Sequence, residues 1–228
     1  MNVDLRNLIL SSHKQILILS AGMQRSGSTW LYNAIRLLLM HSSLTREITG
    51  HGWIGDLSML PQKKIMLIKI HDFNQKILDL DLLKIVFYSF RDVRDALASS
   101  KRKWNQEPSM ELADRLIQND RQWRSHAHFI VRYESMMKDQ LGTLLALSNM
   151  LKITDGSNIQ EIISEIDALK YENPGNKNPL YHMENLLHKG HITDGRHGSW
   201  KGILDDTLLE QIQIKYREWF MRNNYPLC

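Results

Sequence analysis

The sequence predicts a three-layer α/β domain, a central parallel sheet flanked by helices, and three observations predict it. Short apolar runs rich in β-branched and aromatic residues stand at 15–22 (QILILSAG), 65–70 (IMLIKI), 85–90 (IVFYSF) and 129–133 (FIVRY). They are almost continuously apolar rather than alternating, which is the pattern of strands buried on both faces. Apolar residues at helical spacing lie at 29–40, 93–103, 110–124, 137–151, 159–169 and 207–221. Buried strands alternating with helices join through crossovers into a parallel sheet.

Taken in order, the first strand ends on Gly22, and a loop leads to the helix at 29–40. The second strand ends on Lys69 and Ile70, with His71 next. The third ends before Arg91, where Asp92 is a good N-cap for the following helix. The fourth ends on Tyr133, with Glu134 next. The stretch 171–200 holds Pro174, Pro179 and scattered glycines without periodicity, so it reads as a long loop, and loops of that length are usually functional or disordered.

At 228 residues the chain fits one domain, 1–228. Hydrophobic residues at 43% and charged residues at 24% suit an ordinary globular protein and exclude fibrous or disordered classes. The net charge of +4 favours anionic partners mildly, without the basic excess of many nucleic-acid binders, and no nucleic-acid partner is expected. Cys228 is the only cysteine, which excludes an intrachain disulfide, a CxxC pair and a thiolate-rich zinc site. No apolar run approaches the roughly 18 residues that cross a bilayer. The N-terminal MNVDLRNLIL lacks a signal-peptide pattern, so the expectation is a cytoplasmic protein without a membrane span.

Gly22-Met23-Gln24-Arg25-Ser26-Gly27-Ser28-Thr29 fits GxxxxG followed by two residues, placed between a strand and a helix where backbone N–H groups can cradle a phosphate. Ser28 occupies the position where an NTPase loop has lysine. Arg25 supplies a cation from within the loop, with a fork that matches anionic oxygens. The same residues also read as a plain strand-to-helix turn with Ser28 or Thr29 near the cap.

RSGSTWL, Arg25 to Leu31, resembles the phosphosulfate loop of the sulfotransferases, whose cytosolic members typically carry PKSGTTWL; arginine in the lysine position resembles the tyrosylprotein and many bacterial members. Three further segments match in the family's order. Lys69-Ile70-His71 resembles KTH, and residues i and i+2 of a strand share a face. Arg91-Asp92-Val93-Arg94-Asp95 with Ser99 resembles RDPRD and its following serine. Gly195-Arg196-His197-Gly198-Ser199-Trp200-Lys201 resembles the end of RKGxxGDWK, with Thr193 and Asp194 in the RK positions and Ser199 in the aspartate position.

The resemblance implies a P-loop-like fold and a transferase using 3′-phosphoadenosine 5′-phosphosulfate (PAPS), with adenosine 3′,5′-bisphosphate (PAP) as product. It implies His71 as base toward an acceptor hydroxyl, with Lys69 and Arg25 stabilising the sulfuryl oxygens. Arg25, Ser26, Gly27, Ser28 and Thr29 would hold the 5′-phosphate, and Arg91 and Ser99 the 3′-phosphate, with Arg94 a further candidate. Trp30 and Tyr133 would lie beside the adenine, and Arg196 and Gly198 would complete the donor site. Glu47, after the first helix, is the alternative base by chain position.

The acceptor is a small molecule, glycan or peptide hydroxyl, and Trp53, Phe73, Trp104 and Tyr181 are candidates for its pocket. The family's dimer segment KxxxTVxxxE has no counterpart, so the sequence assigns no oligomeric state. A nucleotide kinase or ATPase with an atypical loop, and a non-catalytic nucleotide-binding module, are the alternatives. His188, His191 and His197 invite a metal reading, but the chain has no thiolate pair or HExxH to support it, and no metal is expected.

Overall fold

The computed structural model describes residues 4–153, 158–171, 180–190 and 195–227. In chain order the elements are α1 (Leu5–Ser11), β1 (Ile16–Gly22), α2 (Ser28–His41), β2 (Thr49–Trp53), β3 (Ile65–Ile70), α3 (Gln75–Leu78), β4 (Leu83–Phe90), α4 (Val93–Trp104), α5 (Met110–His126), β5 (Phe129–Arg132), α6 (Tyr133–Lys138), α7 (Gln140–Leu151), α8 (Ile159–Ala168), α9 (Asp206–Lys215) and α10 (Arg217–Arg222). The strands form one five-stranded sheet in the order β2-β3-β1-β4-β5, and every pairing is parallel. No described helix is long and apolar enough to cross a membrane.

Strand alternation explains why the apolar runs are continuous. In β1, Leu17, Leu19 and Ala21 feed one core, shared with Trp123, Trp200 and Phe220, while Ile16 and Ile18 feed the other, shared with Leu31, Ile35 and Leu144. β3 and β4 divide the same way, Met66 and Tyr88 to the first core and Leu67 and Phe87 to the second. Burial on both faces is what a parallel sheet requires. In that alternation Lys69 and His71 belong to the face that carries α2, the helix that follows the glycine loop.

Two predicted helices are broken in the structure. The stretch expected at 137–151 begins at Tyr133 and breaks at Asp139, whose carboxylate accepts the Gly142 N–H at 2.7 Å and so caps α7. The stretch expected at 207–221 divides at Tyr216 into α9 and α10. β2 (Thr49, Gly50, His51, Gly52 and Trp53, in register with Ile65 to Lys69) escaped the sequence because glycines at 50 and 52 hide any apolar run.

Trp123 on α5 ties the first of these cores to the site. It is fully buried, its ring meets Phe73 edge-on, and its indole N–H donates to the His71 carbonyl at 2.8 Å. Trp123→Ala is expected to lower stability by about 3–5 kcal/mol through the cavity it leaves. Denaturant unfolding checks this, and a loss within about 1 kcal/mol would mean that the site is not braced from this side.

Candidate functional site

The carboxyl ends of β1, β3, β4 and β5 converge on one cavity of about 800 Å³. Ligands of open α/β sheets bind at this edge. The glycine loop forms its floor. It is stitched to β4 by Met23 N–H on the Ser89 carbonyl (2.9 Å) and by the Ser26 hydroxyl, which reaches the Ser89 carbonyl (3.1 Å) and hydroxyl (2.8 Å). Arg25 holds a left-handed φ of +66°, a conformation that costs an L-residue about 1–2 kcal/mol. Gly27 has φ +73°, and a Cβ there would lie 2.8 Å from Tyr133 Cδ2 and 2.6 Å from Met136 Cε, so both backbone and space require glycine. No side chain caps the first turn of α2, and Ser28 and Thr29 at that turn line the cavity.

Lys69 is buried and donates from Nζ to the Thr29 hydroxyl at 2.6 Å. Burial, with a further push from Arg25, lowers its pKa to about 7. His71 lies within 2.7 Å of the Gly22 carbonyl through Nδ1. A carbonyl only accepts, so Nδ1 carries the proton and the neutral ring keeps its lone pair on Nε2. Burial, then the Lys69 charge, pushes the His71 pKa down to about 3. Trp53 lies 5.5 Å from the imidazole, ring centre to ring centre.

Arg91 follows β4. Its Nη1 donates to the Arg25 carbonyl (3.3 Å) and its Nη2 to the Arg196 carbonyl (2.7 Å), and the guanidinium lies 4.2 Å from the Tyr133 ring centre. Its Nε is buried with no partner among the described residues. Arg25 turns toward the same end. Its Nε donates to the Ser99 hydroxyl at 2.9 Å, and the guanidinium lies 5.1 Å from the Trp104 ring centre. Burial, then the neighbouring Arg91 charge, lowers the Arg25 pKa to about 10.

The cavity gathers Arg25, Gly27, Ser28, Thr29, Trp30, Lys69, His71, Arg91, Ser99, Tyr133 and Arg196. Ser26 and Gly198 are outside its lining: the Ser26 hydroxyl is used on Ser89, and Gly198 faces α4. Arg25 and Lys69 both line the cavity, and the Arg25 Nε is engaged by the Ser99 hydroxyl. Arg94 is no anion ligand. It is fully buried, paired with Asp92 at 2.7 Å, and packed between the Trp200 and Phe220 rings.

Glu47 is exposed on a single 3₁₀ turn and does not reach the cavity. Of the four aromatic acceptor candidates only Trp104 lines it; Phe73 packs on Trp123 and His126, and the Tyr181 hydroxyl donates to Asp56 at 2.7 Å. His188 is at the cavity and His197 faces Asp95 at 3.5 Å; Thr193, Asp194 and His191 lie outside the described residues.

The segment 180–190, read from the sequence only as part of a long loop, brings Leu187 to Gly190 to the cavity and is pinned by α2: Tyr32 OH donates to the Glu184 carbonyl (3.0 Å) and Asn33 Nδ2 to the Asn185 carbonyl (2.8 Å). Among the described lining residues, Arg25, Lys69, Arg91, Lys170, Lys189 and Arg196 face a single carboxylate, Asp167. Together with the unpartnered Arg91 Nε and the uncapped helix end, that donor set fits a polyanionic ligand.

No protein-family model matches the chain, and no curated protein matches it significantly. Solved structures do. A mouse sulfotransferase, SULT7A1, complexed with PAP matches at 16% identity and TM-score 0.59, covering 95% of this chain and 87% of that one. A retinol dehydratase with androsterone and the inactive cofactor PAP matches at 14% identity and TM-score 0.62, covering 94% and 83%; the same enzyme with retinol and PAP gives 15%, 0.61, 94% and 84%. At these identities the likeness is one of fold, and this chain has the sulfotransferase fold.

Proposed function

We propose that this chain is a sulfotransferase that binds PAPS in the 800 Å³ cavity and moves its sulfuryl group to an acceptor hydroxyl by a single in-line displacement. The observation that carries the reading is the convergence of Arg25, Lys69 and Arg91 on the glycine loop and the open end of α2, beside a histidine whose tautomer leaves Nε2 able to accept a proton. The three solved neighbours, each crystallised with PAP, support it.

PAPS supplies a sulfuryl group already activated by a phosphate leaving group. The loop N–H groups and the Ser28 hydroxyl hold the 5′-phosphate. Lys69, oriented by Thr29, meets charge growing on the transferred oxygens, in a buried site where one cation acts strongly. Arg91 and Ser99 hold the 3′-phosphate, with Arg25 beside them. Trp30 and Tyr133 offer faces to the adenine. His71 Nε2 takes the acceptor proton. Its low pKa keeps it neutral at physiological pH, and an anion beside Lys69 offsets the cationic field on the ring, raising its basicity toward the useful range.

The kinase reading finds less support. Ser28 stands where lysine would contact phosphates, and Asp72, the carboxylate suited by position to Mg²⁺, is exposed outside the cavity lining. The test is transfer from sulfur-labelled PAPS to a panel of phenols, alcohols, glycans and tyrosyl peptides, with thermal shift against PAP and against ATP with Mg²⁺. Labelled product and stabilisation by PAP support the reading. Stabilisation by ATP with Mg²⁺ and none by PAP overturns it, and PAP binding without transfer to any acceptor leaves the non-catalytic module.

A second expectation concerns Lys69. With its pKa lowered to about 7 in the free protein, an anionic ligand favours the ammonium form, so binding above that pH takes up a proton. PAP affinity is expected to fall as pH rises from about 7 to 9, by up to tenfold per unit, and Lys69→Met is expected to flatten the profile. Calorimetry in buffers of different ionisation enthalpy reads the proton uptake. A flat profile in the unmodified protein would place Lys69 away from the anion.

A further inference from the structure

The turn at 195–200 walls one side of the cavity, and no helix or strand runs through it. A carboxylate from another element fixes it. Asp95, in the first turn of α4, is fully buried and outside the cavity lining. Its Oδ2 accepts the Gly198 N–H at 2.9 Å, while Oδ1 accepts the Trp200 N–H at 3.1 Å and the Ser199 hydroxyl at 3.2 Å. Gly198 has φ +73°, the left-handed geometry that turns the backbone onto one carboxylate.

Arg102, further along α4, adds a second clamp through Nη1 on the Ser199 carbonyl (3.2 Å) and Nη2 on its hydroxyl (2.9 Å). Serine at 199 fits this arrangement because it both donates to Asp95 and accepts from Arg102. An aspartate there, as in the family motif, would set a second carboxylate against the first. The other side of the turn works on the cavity: the Arg196 carbonyl accepts from Arg91 Nη2 at 2.7 Å, and the Gly195 carbonyl from the Tyr133 hydroxyl at 2.8 Å.

We propose that Asp95 is a positioning residue of the donor site: it holds the 195–200 turn so that the turn's carbonyls fix Arg91, and the Tyr133 ring on which Arg91 rests, in the geometry by which Arg91 grips a 3′-phosphate. The inference rests on the functional reading above, and the experiment separates the two. Asp95→Asn keeps the size but sets an amide donor against one of the backbone N–H groups. Affinities for PAP and for adenosine 5′-monophosphate, which lacks the 3′-phosphate, are measured by calorimetry for the wild type, Asp95→Asn, Arg91→Ala and the double variant.

The wild type is expected to prefer PAP by tenfold or more. Asp95→Asn is expected to lose at least tenfold in PAP affinity and under twofold in monophosphate affinity, and to add little to the loss in Arg91→Ala, because both act on one contact. Gly198→Ala is the second variant should the first fold poorly: a Cβ there meets nothing within 4 Å, so only the backbone angle is disturbed, and the same selective loss is expected. An unchanged PAP preference in both variants, equal losses for both ligands, or full additivity with Arg91→Ala overturns the positioning role. A wild type that does not distinguish the ligands overturns the functional reading first.

Discussion

Replacing Arg91 by alanine is expected to weaken PAP binding roughly tenfold to hundredfold while leaving adenosine 5′-monophosphate binding within about twofold, from a charge-assisted hydrogen bond of about 1.5–3 kcal/mol. The guanidinium is preset for this task. Two of its nitrogens are anchored on the Arg25 and Arg196 carbonyls, its face rests on Tyr133, and its buried Nε has no partner among the described residues. A buried donor left unmatched is destabilising, and an anion that accepts from it recovers that loss. Arg91→Lys keeps the charge but loses the fork, so an intermediate effect is expected. Ser99→Ala acts in the same direction more weakly, because its hydroxyl is neutral and also holds Arg25. Equal losses for both ligands, measured by calorimetry, would remove the 3′-phosphate from Arg91.

Arg91 and Arg94 show how far the sequence could be read. Both are arginines in one motif, three residues apart, and composition cannot separate them. Arg91 follows the end of a strand and so reaches the cavity edge, whereas Arg94 lies in the first turn of α4 and packs between Trp200 and Phe220. The central strands were legible because burial on both faces leaves an unbroken apolar run, as in β1; β2 was not, because Gly50 and Gly52 carry no side chain to pack. Lys69 and His71 were legible as a same-face pair at a strand end. The partner of the Ser26 hydroxyl was not legible, since Ser89 lies 63 residues away on β4. The Asp95 clamp was out of reach for a different reason: its partners lie about a hundred residues away, and only the folded chain brings them together.

His71→Ala is expected to cut turnover by about 10²–10⁴ while PAP affinity stays nearly unchanged, because a general base acts on the acceptor proton and not on the nucleotide. Alanine alone does not isolate that role. The Nδ1–H of His71 also braces the Gly22 carbonyl at the root of the glycine loop, so loss of loop geometry would slow the enzyme as well. His71→Asn separates the two, since the asparagine amide can donate to the Gly22 carbonyl from nearly the same place but carries no basic nitrogen. Single-turnover rates at saturating donor are expected to be as slow in the asparagine variant as in the alanine one. Glu47→Gln is expected to react at close to the normal rate, as its exposed side chain is outside the cavity. The sign of the pH effect follows from the lowered pKa: the active form is the neutral ring, so activity is lost as pH falls, on an acid limb below the ordinary histidine value of about 6.5. Recovery of the rate in His71→Asn would make His71 a brace and not a base, and collapse in Glu47→Gln would move the proton transfer to the carboxylate.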